Sequence, residues 1–209
     1  MLFLMMFRTR SIREIFLEET KEKMDFFNVY HSDLYRYGDN STLKKRIILY
    51  LKYPGAKYSF WFRLSSYLKK YRFFYCIYFV ARIMLRHYSY KFGIDIPYNT
   101  VIGKGFYIGH FGNIVVNSKA IIGKNVNISQ GVTIGQSNRG IRKGVATIGD
   151  CVYIGPGAKI IGNIRIGNNV AIGANCVVTK DVPDDAVVVG IPGRVLSFDG
   201  TRNYVDRMI

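Results

Sequence analysis

The chain has 209 residues, 49% of them hydrophobic, with 21 glycines and only five prolines. That composition excludes a disordered polymer and fits a turn-rich globular protein. Its 30 Lys/Arg against 14 Asp/Glu give a formal charge of +16, which calls for an anionic partner such as a phosphorylated cofactor, a membrane surface or an acidic glycan. No nucleic-acid-binding motif accompanies the charge, so a nucleic-acid partner is not expected.

The excess is uneven: residues 1–92 hold 18 basic and 7 acidic residues, and residues 93–209 hold 12 and 7. Met1–Phe7 is apolar but has neither a preceding basic region nor a small-residue cleavage site, so no signal peptide is expected. The longest stretch of the N-terminal half free of Lys, Arg, Asp and Glu runs Phe73–Ala81, far short of the roughly 20 residues of a spanning helix. Three widely spaced cysteines, Cys76, Cys151 and Cys176, and three histidines form no CxxC pair and no metal set. A reduced, cytoplasmic setting without a metal follows.

Up to residue 92 the pattern is helical, and the reading is an N-terminal α-helical domain, 1–92. Ser11 and Glu14 have the spacing of a capping box, opening a charged helix to about Met24. A polar break, Gly38–Thr42, precedes a second helix that ends around Pro54–Gly55. From about Tyr58 to Ser89 two helices are expected, broken near Lys70–Arg72. Their aromatic residues alternate with Arg63, Lys69, Lys70, Arg82 and Arg86. This segment has two readings: a helical domain with its basic residues facing water, or a peripheral surface meeting anionic lipid at the inner face of the membrane.

From residue 93 to 196 a period of six takes over. Aliphatic residues recur at Ile96, Ile102, Ile108 and Ile114, then Ile122, Ile128 and Ile134, then Ile148, Ile154, Ile160, Ile166, Ile172 and Val178, often followed at once by Gly. One large inward residue per six describes a short strand and a tight corner. Three such steps close a coil, and stacked coils bury one continuous aliphatic column. A β-sandwich is the alternative, but its turns come every 8–12 residues. The register breaks twice: two extra residues between Ile114 and Ile122, and about eight between Gly135 and Thr147. The longer insertion carries Arg139, Arg142 and Lys143 and is expected to mark the binding face. Residues 197–209 form a C-terminal tail.

The hexapeptide array, with Gly109–Val116, Ile128–Gly135, Ile154–Ala158 and Gly190–Arg194, resembles the hexapeptide-repeat acyltransferases. The nearest branch is the serine acetyltransferase-like one, which includes acetyltransferases of capsule and exopolysaccharide synthesis. The resemblance covers roughly residues 90–196. It implies a mainly β fold, a left-handed parallel β-helix, assembled as a homotrimer, with acetyl-CoA bound between adjacent β-helices. It places the catalytic histidine on His110 and an orienting carboxylate on Asp95. For CoA it points to Gly155, Ala174, Thr179, Lys180 and Arg194.

The chemistry fits those residue types. A hydroxyl is a poor nucleophile until a base takes its proton during attack on the thioester, and a neutral imidazole suits that task near pH 7. A carboxylate on the other ring nitrogen fixes the tautomer and stabilises the imidazolium. With three steps per coil, His110 shares a column with Gln130, Pro156 and Ala174. A zinc carbonic-anhydrase reading needs three histidines, and the repeat holds one. Serine acetyltransferases typically carry Asp before the catalytic histidine and a second His at the end of the inserted loop. Here those positions are Gly109 and Val145. The expected acceptor is therefore a hydroxyl of a surface polysaccharide or its precursor, with serine O-acetylation in cysteine biosynthesis as the alternative and a non-catalytic scaffold as a third reading.

Overall fold

The computed structural model describes residues 26–71 and 74–209; the helix expected to open at Ser11–Glu14 lies outside the described residues. Four helices come first among these: α1 (Phe26–Tyr35), α2 (Leu43–Lys52), α3 (Pro54–Leu68) and α4 (Tyr75–Phe92). Thr42 caps α2 by accepting from Lys45 N. That helix ends at Lys52, earlier than its expected end at Pro54–Gly55. Pro54 opens α3 instead, because a residue without an N–H fits the first turn of a helix, where that donor has no intrahelical partner. The sequence reading did not foresee α1. Its buried Phe26, Val29, Tyr30, Asp33 and Leu34 follow helical spacing, but aromatic residues and an aspartate obscure the stripe. No helix among the described residues is long and apolar enough to cross a membrane.

The chain then winds through short strands. The first coils comprise β1 (Ile94–Asp95), β2 (Val101–Ile102), β3 (Tyr107–Ile108), β4 (Ile114–Val116), β5 (Ile121–Ile122), β6 (Asn127–Ile128) and β7 (Thr133–Gly135). The later coils comprise β8 (Thr147–Ile148), β9 (Tyr153–Ile154), β10 (Lys159–Ile161), β11 (Arg165–Ile166), β12 (Ala171–Ile172), β13 (Val177–Val178), β14 (Val187–Val189) and β15 (Arg194–Ser197). Every third strand stacks in parallel, giving three faces. The first is β1-β4-β7-β10-β13, the second β2-β5-β8-β11, and the third β3-β6-β9-β12-β14, which the antiparallel β15 extends.

The aliphatic column fills the interior. Ile108, Ile128, Ile154 and Ile172 stack on the third face and are at most 1% exposed. The glycine after each inward residue has a packing cause: a Cβ on Gly103 or Gly149 would lie 2.6 Å from the carbonyl oxygen of the coil beyond. The left-handed corner residue comes two places later, at Asn125, Cys151, Asn169 and Asn175, mostly asparagine, which tolerates that region.

The register relocates the shorter insertion. Ile94 pairs with Ile114, and Val116 with Ile134, so Val116, not Ile114, continues the six-residue series toward Ile122. The two extra residues therefore fall between Ile108 and Val116, in the corner that carries His110.

The helices sit on the first coil. Tyr58 of α3 exchanges hydrogen bonds with both backbone groups of Ile96, at 3.0 and 3.1 Å. On the third face Arg36 donates to Asn127 Oδ1 at 2.5 Å and to Asn125 Oδ1 at 3.3 Å. The C-terminal segment covers the same face: Asn127 donates to Tyr204 O, Asn125 to Ile209 O, and Tyr204 stacks on Tyr153.

Candidate active site

His110 lies in the five-residue corner 109–113 between β3 and β4. Gly112 and Asn113, at φ 113° and 52°, turn the enlarged corner. Gly109 N donates to Ile128 O at 3.1 Å, and Gly112 O accepts from Gly131 N at 2.8 Å, so both ends are tied to the next coil. On the other side the end of α4 braces it: Ile114 N donates to Gly93 O at 3.0 Å, and the Phe92 and Phe111 rings lie 5.7 Å apart. The His110 side chain is exposed, and its imidazole makes no hydrogen bond to another described residue.

Asp95 projects outward from β1, exposed, opposite Val115. It borders a cleft of about 650 Å³ between α4 and the first coil, with Arg82, Arg86, Ser89 and Asn113 around it. No hydrogen bond joins Asp95 to His110 among the described residues; they flank the same turn from opposite ends, His110 near its start and Asp95 beside Asn113 at its finish. His110 heads the column formed with Gln130, Pro156 and Ala174. Gln130 Oε1 is buried there without a partner among the described residues. One strand over, Lys159 Nζ donates to Gly131 O at 2.5 Å and Thr133 Oγ1 at 3.2 Å.

The residues expected at CoA are spread along the helix. Gly155 and Ala174 lie on the His110 edge, Ala174 three rungs away, about 14 Å at the usual strand spacing. Thr179 and Lys180 are exposed at the next edge, after β13, and Arg194 is exposed on β15. The inserted loop also leaves from that next edge, between β7 and β8. It is closed by the Ser137–Gly144 bridge and held by Arg142 Nη1 on Asp181 Oδ1 at 3.0 Å, while Arg139 and Lys143 are exposed. Within one chain the width of the first face thus separates the loop from His110. The loop expected to mark the binding face occupies a different corner of the triangle from His110. Cys176 is buried, which pushes its thiol up, and Cys151 sits at a left-handed corner.

Arg82, Arg86, Gln130 and Lys159 were not among the expected site residues. Their signal is positional. Gln130 follows from the register of His110, whereas the arginines reach the site only because α4 ends on the His110 turn.

Residues 146–180 match the family model described as bacterial transferase hexapeptide (six repeats). The serine acetyltransferase of Synechococcus elongatus is 38% identical over 152 residues, 73% of this chain and 61% of the relative. The crystal structure of Neisseria gonorrhoeae serine acetyltransferase in complex with serine matches with a TM-score of 0.63 and 32% identity, covering 81% of this chain and 68% of that one. A serine acetyltransferase solved in complex with CoA matches with a TM-score of 0.67 and 30% identity, over 88% and 75% of the two chains. The chain belongs to the serine acetyltransferase family of hexapeptide transferases. Its β-helix is the left-handed one of that family. The chain spans about three-fifths of the length of the curated relatives it matches.

These relatives correct the acceptor. The expected surface polysaccharide is overturned, since the matched proteins are serine acetyltransferases in sequence and in structure. That expectation rested on two missing side chains, at Gly109 and Val145. A missing group removes one way of holding a ligand and specifies no other ligand.

Proposed function

We propose that the protein transfers the acetyl group of acetyl-CoA to the hydroxyl of L-serine, with His110 as general base. Membership of the serine acetyltransferase family, together with an exposed imidazole on an enlarged corner at the expected coil, carries this reading. His110 takes the hydroxyl proton as the oxygen attacks the thioester carbonyl; the tetrahedral intermediate then collapses and CoA leaves as the thiol, reprotonated by the imidazolium. Asp95 is the carboxylate available to stabilise that imidazolium. The thioester end of acetyl-CoA meets His110, and the pantetheine arm runs along the edge past Gly155 and Ala174.

The division of the site between two edges supports a homotrimer. Packing the loop edge of one protomer against the His110 edge of the next brings Arg139, Arg142, Lys143, Thr179 and Lys180 towards a base that their own chain holds too far away. Arg194 and Lys180 are the cations placed for the CoA phosphates, and a cytoplasmic setting accords with the acetyl-CoA donor.

The test is CoA release followed with a thiol reagent. Serine-dependent release is expected, with kcat falling by about 10²–10⁴ in His110→Ala while CoA still binds. Absence of serine-dependent release by the wild type, or full activity in His110→Ala, overturns the reading. Failure to bind CoA at all points to a scaffold.

A further inference from the structure

The positions at which the family holds the serine substrate are Gly109 and Val145 in this chain, neither of which can pair with a charged ligand. Several cations around the coils are occupied. Arg63 is paired with Asp33, Arg142 with Asp181 on another edge, and Lys159 is bonded to Gly131 O and Thr133. The two that line the cleft beside β1 are not. Arg82 and Arg86, one turn apart on α4, form no salt bridge with a described carboxylate, and both border the cleft that also holds Asp95 and Asn113.

Their surroundings suit an anion. The Arg82 guanidinium carbon lies 3.6 Å from the centroid of the Tyr98 ring, and that of Arg86 lies 5.4 Å from the Tyr90 ring. Contact with an aromatic face restrains a guanidinium plane and leaves its N–H edges for a carboxylate fork. With Asp95 opposite, the cleft carries two positive charges and one negative, so it favours a ligand with an anionic group. Its coil side is β1 and the start of β4, and Asn113, the last residue of the His110 turn, lines one end of it; Gly93, also in its wall, bonds to Ile114. A small acceptor anchored there lies beside Asp95, the carboxylate assigned above to the imidazolium of His110.

We infer that Arg82 and Arg86 form the carboxylate subsite of the acceptor site, holding the α-carboxylate of serine from helix α4 rather than from the inserted loop. This rests on the serine reading above. It makes α4 a specificity element, and it accounts for acceptor binding in a chain with Gly109 and Val145 where family members carry polar groups.

The experiment compares L-serine with L-serinamide, which keeps the hydroxyl and amine but lacks the carboxylate. Turnover and calorimetric binding are measured on the full chain for the wild type, Arg82→Gln, Arg86→Gln and the double Lys variant. The wild type should prefer serine. Each Gln variant should raise KM for serine by about tenfold or more, leave serinamide unchanged, and leave KM for acetyl-CoA unchanged. The Lys variant should recover part of the preference, which a fold defect would not allow. Serine turnover with the same serine-to-serinamide ratio in wild type and Gln variants overturns the subsite and leaves the serine reading standing. Serine binding that depends on Arg82 and Arg86 but yields no turnover overturns the serine reading and leaves the subsite. No serine binding by the wild type overturns both.

Discussion

Arg63 of α3 and Asp33 of α1 form a two-point ion pair that is also a clamp on the β-helix. Arg63 Nε and Nη2 reach Asp33 Oδ2 and Oδ1 at 2.8 and 3.1 Å, and the same guanidinium donates to Ile102 O at 2.7 Å and Gly103 O at 2.6 Å. Asp33 Oδ1 in turn accepts from Phe106 N at 2.9 Å. Burial pushes the Asp33 carboxyl up, and the Arg63 charge and the backbone amides pull against it. Two helices and the corner between β2 and β3 are therefore joined through one buried pair, 7% and 0% exposed.

Removing one partner strands the other charge away from water. Arg63→Met or Asp33→Leu should each lower stability by about 3–5 kcal/mol, whereas the double replacement should recover much of that loss. Urea unfolding of the three variants measures the coupling. Additive single effects would mean that the pair is not the clamp.

Gly55 tests how closely the helices sit on the site. A Cβ there would collide with the carbonyl oxygen of Ile108 and the hydroxyl of Tyr37, which itself accepts from Ile108 N and donates to Ile108 O. Gly55→Ala should cost about 1–3 kcal/mol by overpacking and displace Ile108, two residues before His110. Serine acetylation should then fall more than CoA binding does. An unchanged Tm with unchanged activity would show that the contact yields freely.

Much of this was legible in the sequence. The inward column needs only hydrophobic spacing, and the spacing stated it from Ile96 to Val178. The position of the shorter insertion was not legible, because Ile114 and Val116 are both aliphatic, two apart, and on the same side of one strand. Only the pairing of Val116 with Ile134 shows that the enlarged corner is the one with His110. Arg82 and Arg86 escaped for another reason: helix α4 reaches the first coil through tertiary packing, and no local pattern encodes where its end docks. The acceptor was misread because two substitutions outweighed a resemblance spread over many coils.

The loop pair Arg142–Asp181 should matter little to stability. Both side chains are more than a third exposed, where such pairs are worth about 0–1 kcal/mol. The Asp181 carboxyl is held low chiefly by the Arg165 amide, with Arg142 secondary, so it stays ionised without its partner. Arg142→Ala should leave the urea midpoint nearly unchanged. If the loop serves a neighbouring protomer's site, Arg142→Ala and Asp181→Ala should each lower kcat/KM to a similar degree, and the double variant should be no worse than either. Additive losses would mean that the two residues act separately.

Tyr58 gives a pH signature for the junction between α3 and the first coil. Burial pushes its phenol up to about 12 from an ordinary 10.0, with the nearby Asp95 adding to the rise and the Ile96 backbone bond opposing it. In the unfolded chain the phenol ionises near pH 10, whereas in the folded chain it keeps its proton to about pH 12. The stability tied to the neutral phenol is therefore complete below pH 10 and lost as the pH rises through that window, by about 2–3 kcal/mol for two pKa units. Tyr58→Phe removes this titration and also the two bonds to Ile96, so the variant should be the less stable form at pH 8. Tyr30 and Tyr37, also pushed up by burial, titrate in both proteins and cancel in the difference. The gap between wild type and variant should narrow between about pH 10 and 12 in urea unfolding. A gap that stays constant across that range would mean that Tyr58 is not the buried phenol that couples the helices to the β-helix.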